Sequence, residues 1–151
     1  MKKILLMTVL GLTVAFAGSV APVNNALYQK ECASCHFGYQ PALLGKASWE
    51  KVMGNLSDHF GSDASLGKAE QDQILTYLVS NAGSGKLTVN NSSMRITESP
   101  KFIKEHREVP ARLITQKEVG SLSNCSACHT MADKGNYSER AIKIPNYGRW
   151  E

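Results

Sequence analysis

Two stretches decide how this chain is read: Cys32-Ala-Ser-Cys35-His36 and Cys125-Ser-Ala-Cys128-His129. All four cysteines of the chain lie in these two copies of C-x-x-C-H. In an exported protein that pattern reads as c-type haem attachment. Two thiols separated by two residues can add across the two vinyl groups on one porphyrin edge. The histidine that follows is then held beneath the iron as the proximal ligand, with His or Met as the second axial ligand. Other readings explain less. A paired C-x-x-C zinc site spaces its pairs by roughly 15–20 residues, whereas Cys35 and Cys125 are 90 positions apart. Two local disulfides suit an oxidising compartment, and a thioredoxin-like pair needs a βαβ context that the sequence lacks. None of the three accounts for a histidine in the same place after both pairs. The expectation is two covalent haem c groups.

The chain has only four histidines: His36, His59, His106 and His129. Two are proximal by motif, which leaves two for two distal positions. His59 follows His36 by 23 positions and His106 precedes His129 by the same number. That equal spacing favours His59 with the first haem and His106 with the second, and a crossed pairing stays open. A helix is expected over 48–60, with Ser48 as N-cap and Trp49, Val52, Met53, Leu56 and Phe60 recurring at helical spacing. His59 then lies about 20° from Val52 on the apolar stripe. Gly61 closes that helix. His106 has a shorter helix, capped by Ser99, begun by Pro100 and limited by Pro110, with Phe102 on the same face. Among the methionines, Met53 reads as core and Met131 lies too close to its own motif. Met94 remains open by position. Bis-histidine coordination of both irons is the preferred reading.

The N-terminus reads as an export signal: Lys2 and Lys3, an apolar run from Ile4 to Ala17, and small residues at Ala15 and Ala17. Cleavage after Ala17 is preferred to cleavage after Ala21, where Pro22 would follow the cut. The apolar run is shorter than the roughly 20 residues that span a bilayer. A bacterial periplasm is the expected destination, and the mature chain is not expected to be an integral membrane protein. Removing residues 1–17 leaves 134 residues, 15 of them basic and 13 acidic. With no Lys/Arg-rich run, that balance argues against a nucleic-acid partner.

Beyond the motifs, one helical turn is expected through Ala26, Leu27 and Tyr28, and a helix over 68–82 carrying Ile74, Leu75, Leu78 and Val79. A short strand is weakly indicated at 86–89. The polar run Asn90-Asn91-Ser92-Ser93 marks the expected boundary between an N-terminal haem lobe (18–90) and a C-terminal one (91–151). Thr115-Gln-Lys-Glu118 has the form of a capping box. Tyr137, Ile142, Ile144, Tyr147 and Trp150 are expected to drape over the second haem. The expected fold class is mainly α, with short helices packed around two covalent haems in two lobes.

These residues resemble the small dihaem cytochrome c family of bacterial periplasms. The resemblance runs from about Leu27 to Pro145. It is carried by ECASCHFGYQPALL at 31–44, SWEKVMGNLSDHFGSDASL at 48–66, ILTYLVSNA at 74–82, RITESPKFIKEHREV at 95–109 and NCSACH at 124–129. It implies bis-histidine ligation by His36, His59, His106 and His129. It also implies electron transfer among redox proteins, with a membrane b-type cytochrome and a high-spin, oxygen-binding c-type cytochrome as partners. The competing reading is a haem enzyme, a peroxidase or small-molecule reductase, with one open or labile distal site; a gas sensor would need the same opening.

Overall fold

The computed structural model describes residues 18–85, Thr88 and residues 93–150. The expected export signal lies outside the described residues, as does the strand expected at 86–89 apart from Thr88. The described chain is mainly helical, and its helices are short. Helix α1 spans Ala26–Glu31 and is capped by Asn25, whose side chain accepts the Tyr28 N–H. Helix α2 spans Lys46–Gly54 and α3 spans Lys68–Ser80. Helix α4 spans Pro100–His106 and the single turn α5 spans Ala111–Ile114. Short 3-10 turns fill much of the remainder. A two-stranded antiparallel hairpin, β1 (Lys143–Ile144) and β2 (Gly148–Arg149), closes the C-terminal part. Among the described residues no helix is long and apolar enough to cross a membrane.

The principal core forms where α2 lies against α3. Tyr28, Leu44, Trp49, Val52, Met53, Leu56, Ile74 and Leu78 are buried together there. The period-3.6 spacing of those side chains on α2 and α3 places them on facing stripes, and their removal from water drives the packing. Polar edges are tied off locally. The Trp49 indole N–H donates to the Pro41 carbonyl at 2.7 Å, and the Gln71 amide donates to the Met53 carbonyl. Gly83 must be a glycine, because a Cβ there would stand 2.4 Å from the Ala42 carbonyl oxygen.

This core continues past the polar run near residue 90. Ile96 is part of it, and Met94 and Phe102 pack against it. Further links join distant positions. Gln40 is fully buried, donates to the Ala132 carbonyl at 2.6 Å and accepts the Tyr137 hydroxyl at 2.5 Å. The Tyr39 hydroxyl donates to the Ser123 carbonyl at 2.9 Å. At the other end, Val20 N–H donates to the Gly135 carbonyl and Tyr137 N–H to the Gly18 carbonyl, so residues 18–20 lie along 135–137.

Two local expectations are corrected. The helix foreseen over 48–60 begins earlier, at Lys46 after Gly45, and stops at Gly54; Ser48 is buried inside it rather than capping it. Gly54 and Asn55 weaken the helix, and the Asn55 side chain donates to the Asp58 carbonyl, competing for the backbone as asparagine does at helix ends. A 3-10 turn over Leu56–Asp58 follows, so His59 lies beyond the helix. The capping box at Thr115 starts no helix: Thr115 ends α5, its hydroxyl donating to the Ala111 carbonyl. The turn after it closes at Gly120, where φ is +71°.

Candidate haem sites

The first C-x-x-C-H emerges from the end of α1. Cys32 is its C-cap, with its N–H donating to the Tyr28 carbonyl. Cys35 and His36 are exposed beyond it. His59 reaches the same place through a tight turn. His59 and Ser62 exchange backbone hydrogen bonds, and Phe60 and Gly61 between them have φ of +56° and +92°. Positive φ at both central residues is the signature of the tightest hairpin turn, and Gly61 takes one of them without steric cost. The Asp58 carboxylate braces the turn by accepting the Gly61 N–H. Arg95 lies over the Phe60 ring at 4.1 Å, a cation–π contact. The outcome is that the His36 and His59 rings are brought together, with centroids 6.1 Å apart and planes 19° from parallel.

The second motif is itself a 3-10 turn over Cys125–Ala127, with His129 N–H donating to the Cys125 carbonyl. Lys143 N–H donates to the Cys128 carbonyl, which fastens the β1–β2 hairpin beside the motif. His106 comes from the last turn of α4, as the sequence anticipates: Ser99 accepts the Phe102 N–H and Pro100 opens the helix. The His106 and His129 centroids are again 6.1 Å apart, with planes at 67°. The structure thus brings the four histidines together as His36 with His59 and His106 with His129.

That separation has a chemical meaning. An iron held between two imidazole nitrogens, each about 2.0 Å away, puts the ring centres about 6 Å apart. The nitrogens are prepared for it. His36 Nδ1 lies 2.8 Å from the Phe37 carbonyl oxygen and His106 Nδ1 lies 2.9 Å from that of Phe102. A carbonyl only accepts, so Nδ1 is the donor in each ring and Nε2 is the nitrogen left for an iron. Burial and the neighbouring His106 push the His129 imidazole down to about 4, and burial, with His36 and Arg95 nearby, lowers His59 as well. In both rings the shift favours the neutral imidazole, the form that binds iron. The buried His129 Nδ1 has no hydrogen-bond partner among the described residues.

The surroundings fit a porphyrin. A cavity of about 640 Å³ is lined by Cys125, Cys128, His106 and His129, and by apolar side chains including Leu113, Val119, Ile142, Ile144 and Trp150. Cofactor sites span about 300–1,000 Å³ and are mostly apolar. Tyr137 lines the cavity too, as the sequence anticipates, whereas Tyr147 is half exposed and lies tilted against Trp150 instead. Burial pushes the Cys32 and Cys125 thiols up to about 11. They are neutral thiols, unlike the thiolates of metal or redox pairs. Among the described residues no three His, Cys, Asp or Glu side chains converge to hold a bare metal ion. Met53 is buried in the core and Met131 is exposed. Met94 packs on the first core.

Sequence reasoning placed Tyr137 at the second haem but missed Tyr39 and Gln40, which join the two sites. Tyr39 stands 5.4 Å from the His36 ring and Tyr137 stands 5.3 Å from the His129 ring, with Gln40 between them. It also missed residues 18–20, which line the second cavity. A buried glutamine within FGYQPALL gives no periodic signal, and backbone contacts across more than a hundred residues give none either.

The comparisons agree with this geometry. The family model for dihaem cytochrome c matches residues 28–137. A dihaem cytochrome c from Shewanella baltica OS155, solved by X-ray crystallography, is 40% identical with a TM-score of 0.74, covering 84% of this chain and 98% of its own. A protein of this type purified from Rhodobacter sphaeroides is 42% identical with a TM-score of 0.67, over 77% of this chain and 99% of its own. Another structure of a dihaem cytochrome c from the same organism is 40% identical with a TM-score of 0.70, over 78% and 100%. No curated protein matches the chain.

Proposed function

The chain belongs to the dihaem cytochrome c family and carries two haem c groups, and from that membership we propose that it is a periplasmic electron carrier whose irons are both closed by histidine pairs. Cytochromes c transfer electrons in general. Here the finer reading assigns Cys32 and Cys35 to the first porphyrin and Cys125 and Cys128 to the second. His36 and His59 close one iron, and His106 and His129 the other. The observation that carries it is the repeated 6.1 Å separation of the two ring pairs. Each haem supplies a one-electron ferric/ferrous couple, and two nitrogen ligands hold that couple at lower potential than a methionine would.

The side chains serve that role by holding still. The Phe37 and Phe102 carbonyls fix two rings in one tautomer. The Asp58-braced turn holds His59 without a helix. With both axial positions taken, no site is left for a substrate, which sets this reading against a peroxidase or reductase. A membrane b-type cytochrome and a high-spin, oxygen-binding c-type cytochrome are the proposed partners, and stopped-flow mixing with each tests them; absence of transfer removes that partner. The export pattern at residues 1–17 supports the periplasm.

The deciding experiment is the absorption spectrum of the fully reduced holoprotein before and after carbon monoxide. An unchanged low-spin spectrum is expected. A shift in either haem would mean an open or labile distal position and would move the reading to a haem enzyme or gas sensor.

A further inference from the structure

The two histidine pairs have the same separation but differ in twist: 19° between His36 and His59, against 67° between His106 and His129. An axial imidazole donates electron density from the π orbital normal to its ring. Parallel rings feed the same iron d orbital and split the d pair widely. Crossed rings feed both members of the pair and leave them nearly equal. In ferric low-spin iron the electron hole occupies the orbital raised by donation, so parallel rings stabilise the ferric state more. Crossed rings give a more easily reduced iron.

What sets the crossed angle is visible in α4. The Phe102 ring lies flat on the His106 ring, with centroids 3.8 Å apart and planes within 9°. The carbonyl of the same residue accepts the His106 Nδ1–H at 2.9 Å. Phe102 therefore fixes both the plane of the imidazole and its rotation within that plane. It is itself held by the Ser99 cap and by packing against the first core. On the other side of the site, Tyr137 meets the His129 ring edge-on at 5.3 Å. At the first site no described ring lies flat on either histidine: Phe60 meets His59 edge-on, at 61°, and Tyr39 is tilted 34° to His36.

We propose that Phe102 is a positioning residue that holds the His106 ring crossed to His129, and so makes the second haem electronically distinct from the first and easier to reduce. This rests on the histidine-pair reading above. The test is electron paramagnetic resonance of the ferric holoprotein, with a spectropotentiometric titration of both haems. Wild type should show one rhombic low-spin signal and one strongly anisotropic signal whose largest g feature lies at lower field. Phe102→Leu and Phe102→Met keep an apolar side chain but remove the flat ring. In either variant the anisotropic feature should move toward the rhombic position and one potential should fall, while the other signal and potential stay in place. Phe102→Tyr should restore the wild-type spectrum.

Two rhombic signals in wild type, with no carbon monoxide binding, would leave the histidine pairs standing and overturn this proposal alone. An anisotropic signal unmoved in the Leu and Met variants would overturn it equally. A high-spin signal, or a sulfur-to-iron band in the near infrared, would overturn the histidine pairs and this proposal together.

Discussion

His59 and His106 reach their partner rings by different routes, and that difference can be tested one side chain at a time. The His59 ring lies 6.1 Å from the His36 ring, so His59→Ala should open one haem of the reduced protein to carbon monoxide and leave the other low-spin. If the haem attached at Cys125 and Cys128 takes the gas instead, the pairing is crossed. Tyr28 carries a second expectation. Burial raises its phenol well above the usual tyrosine range, helped by the nearby Cys32, Tyr77 and Tyr39, and its hydroxyl donates to the Tyr39 carbonyl. The fold holds this proton more tightly than the unfolded chain does. The resulting stability is complete below the ordinary tyrosine value of about 10 and is lost as pH rises above it. Denaturation midpoints should fall on that alkaline side, and the fall should be shallower in Tyr28→Phe.

At the scale of elements, legibility followed the strength of local signals. The His106 helix could be read because Ser99, Pro100 and Phe102 each act within one turn, and all three do in the fold. The His59 segment misled because Trp49, Val52, Met53 and Leu56 are a true apolar stripe, buried as expected, yet the stripe outlasts its helix. Gly54, Asn55 and the positive φ at Phe60 and Gly61 redirect the chain after that, and hydropathy carries no trace of such a turn. The β1–β2 hairpin is two residues per strand, too short for alternation to show. Residues 18–20 are likewise held by a single bridge, to residues 135–137. A Cβ on Gly135 would stand 2.0 Å from the Val20 carbonyl oxygen, at a φ of +73°. Gly135→Ala should cost about 1–3 kcal/mol, read as a lower denaturation midpoint. It should also make the second haem more accessible to small external reductants than the first.

For the whole molecule, His59 and His106 stood out as distal candidates through the histidine count, and the two attachment motifs were readable because c-type haem attachment demands fixed residue types at fixed spacing. How the two sites are joined was not, since Gln40 is one polar residue whose partners lie more than ninety positions away. Gln40→Leu would leave the Ala132 carbonyl and the Tyr137 hydroxyl without their partner, at a cost of about 1–3 kcal/mol. Calorimetry of the holoprotein should show a lower Tm in that variant. Two separated transitions would mean that Gln40 is what makes the halves melt together. The docking of residues 18–20 against 135–137 adds a matter of timing. The stretch made early in synthesis has no place to settle until nearly all the rest exists. Until then the second cavity stands without one wall, so the natural moment for loading its haem comes before the chain closes the door behind it.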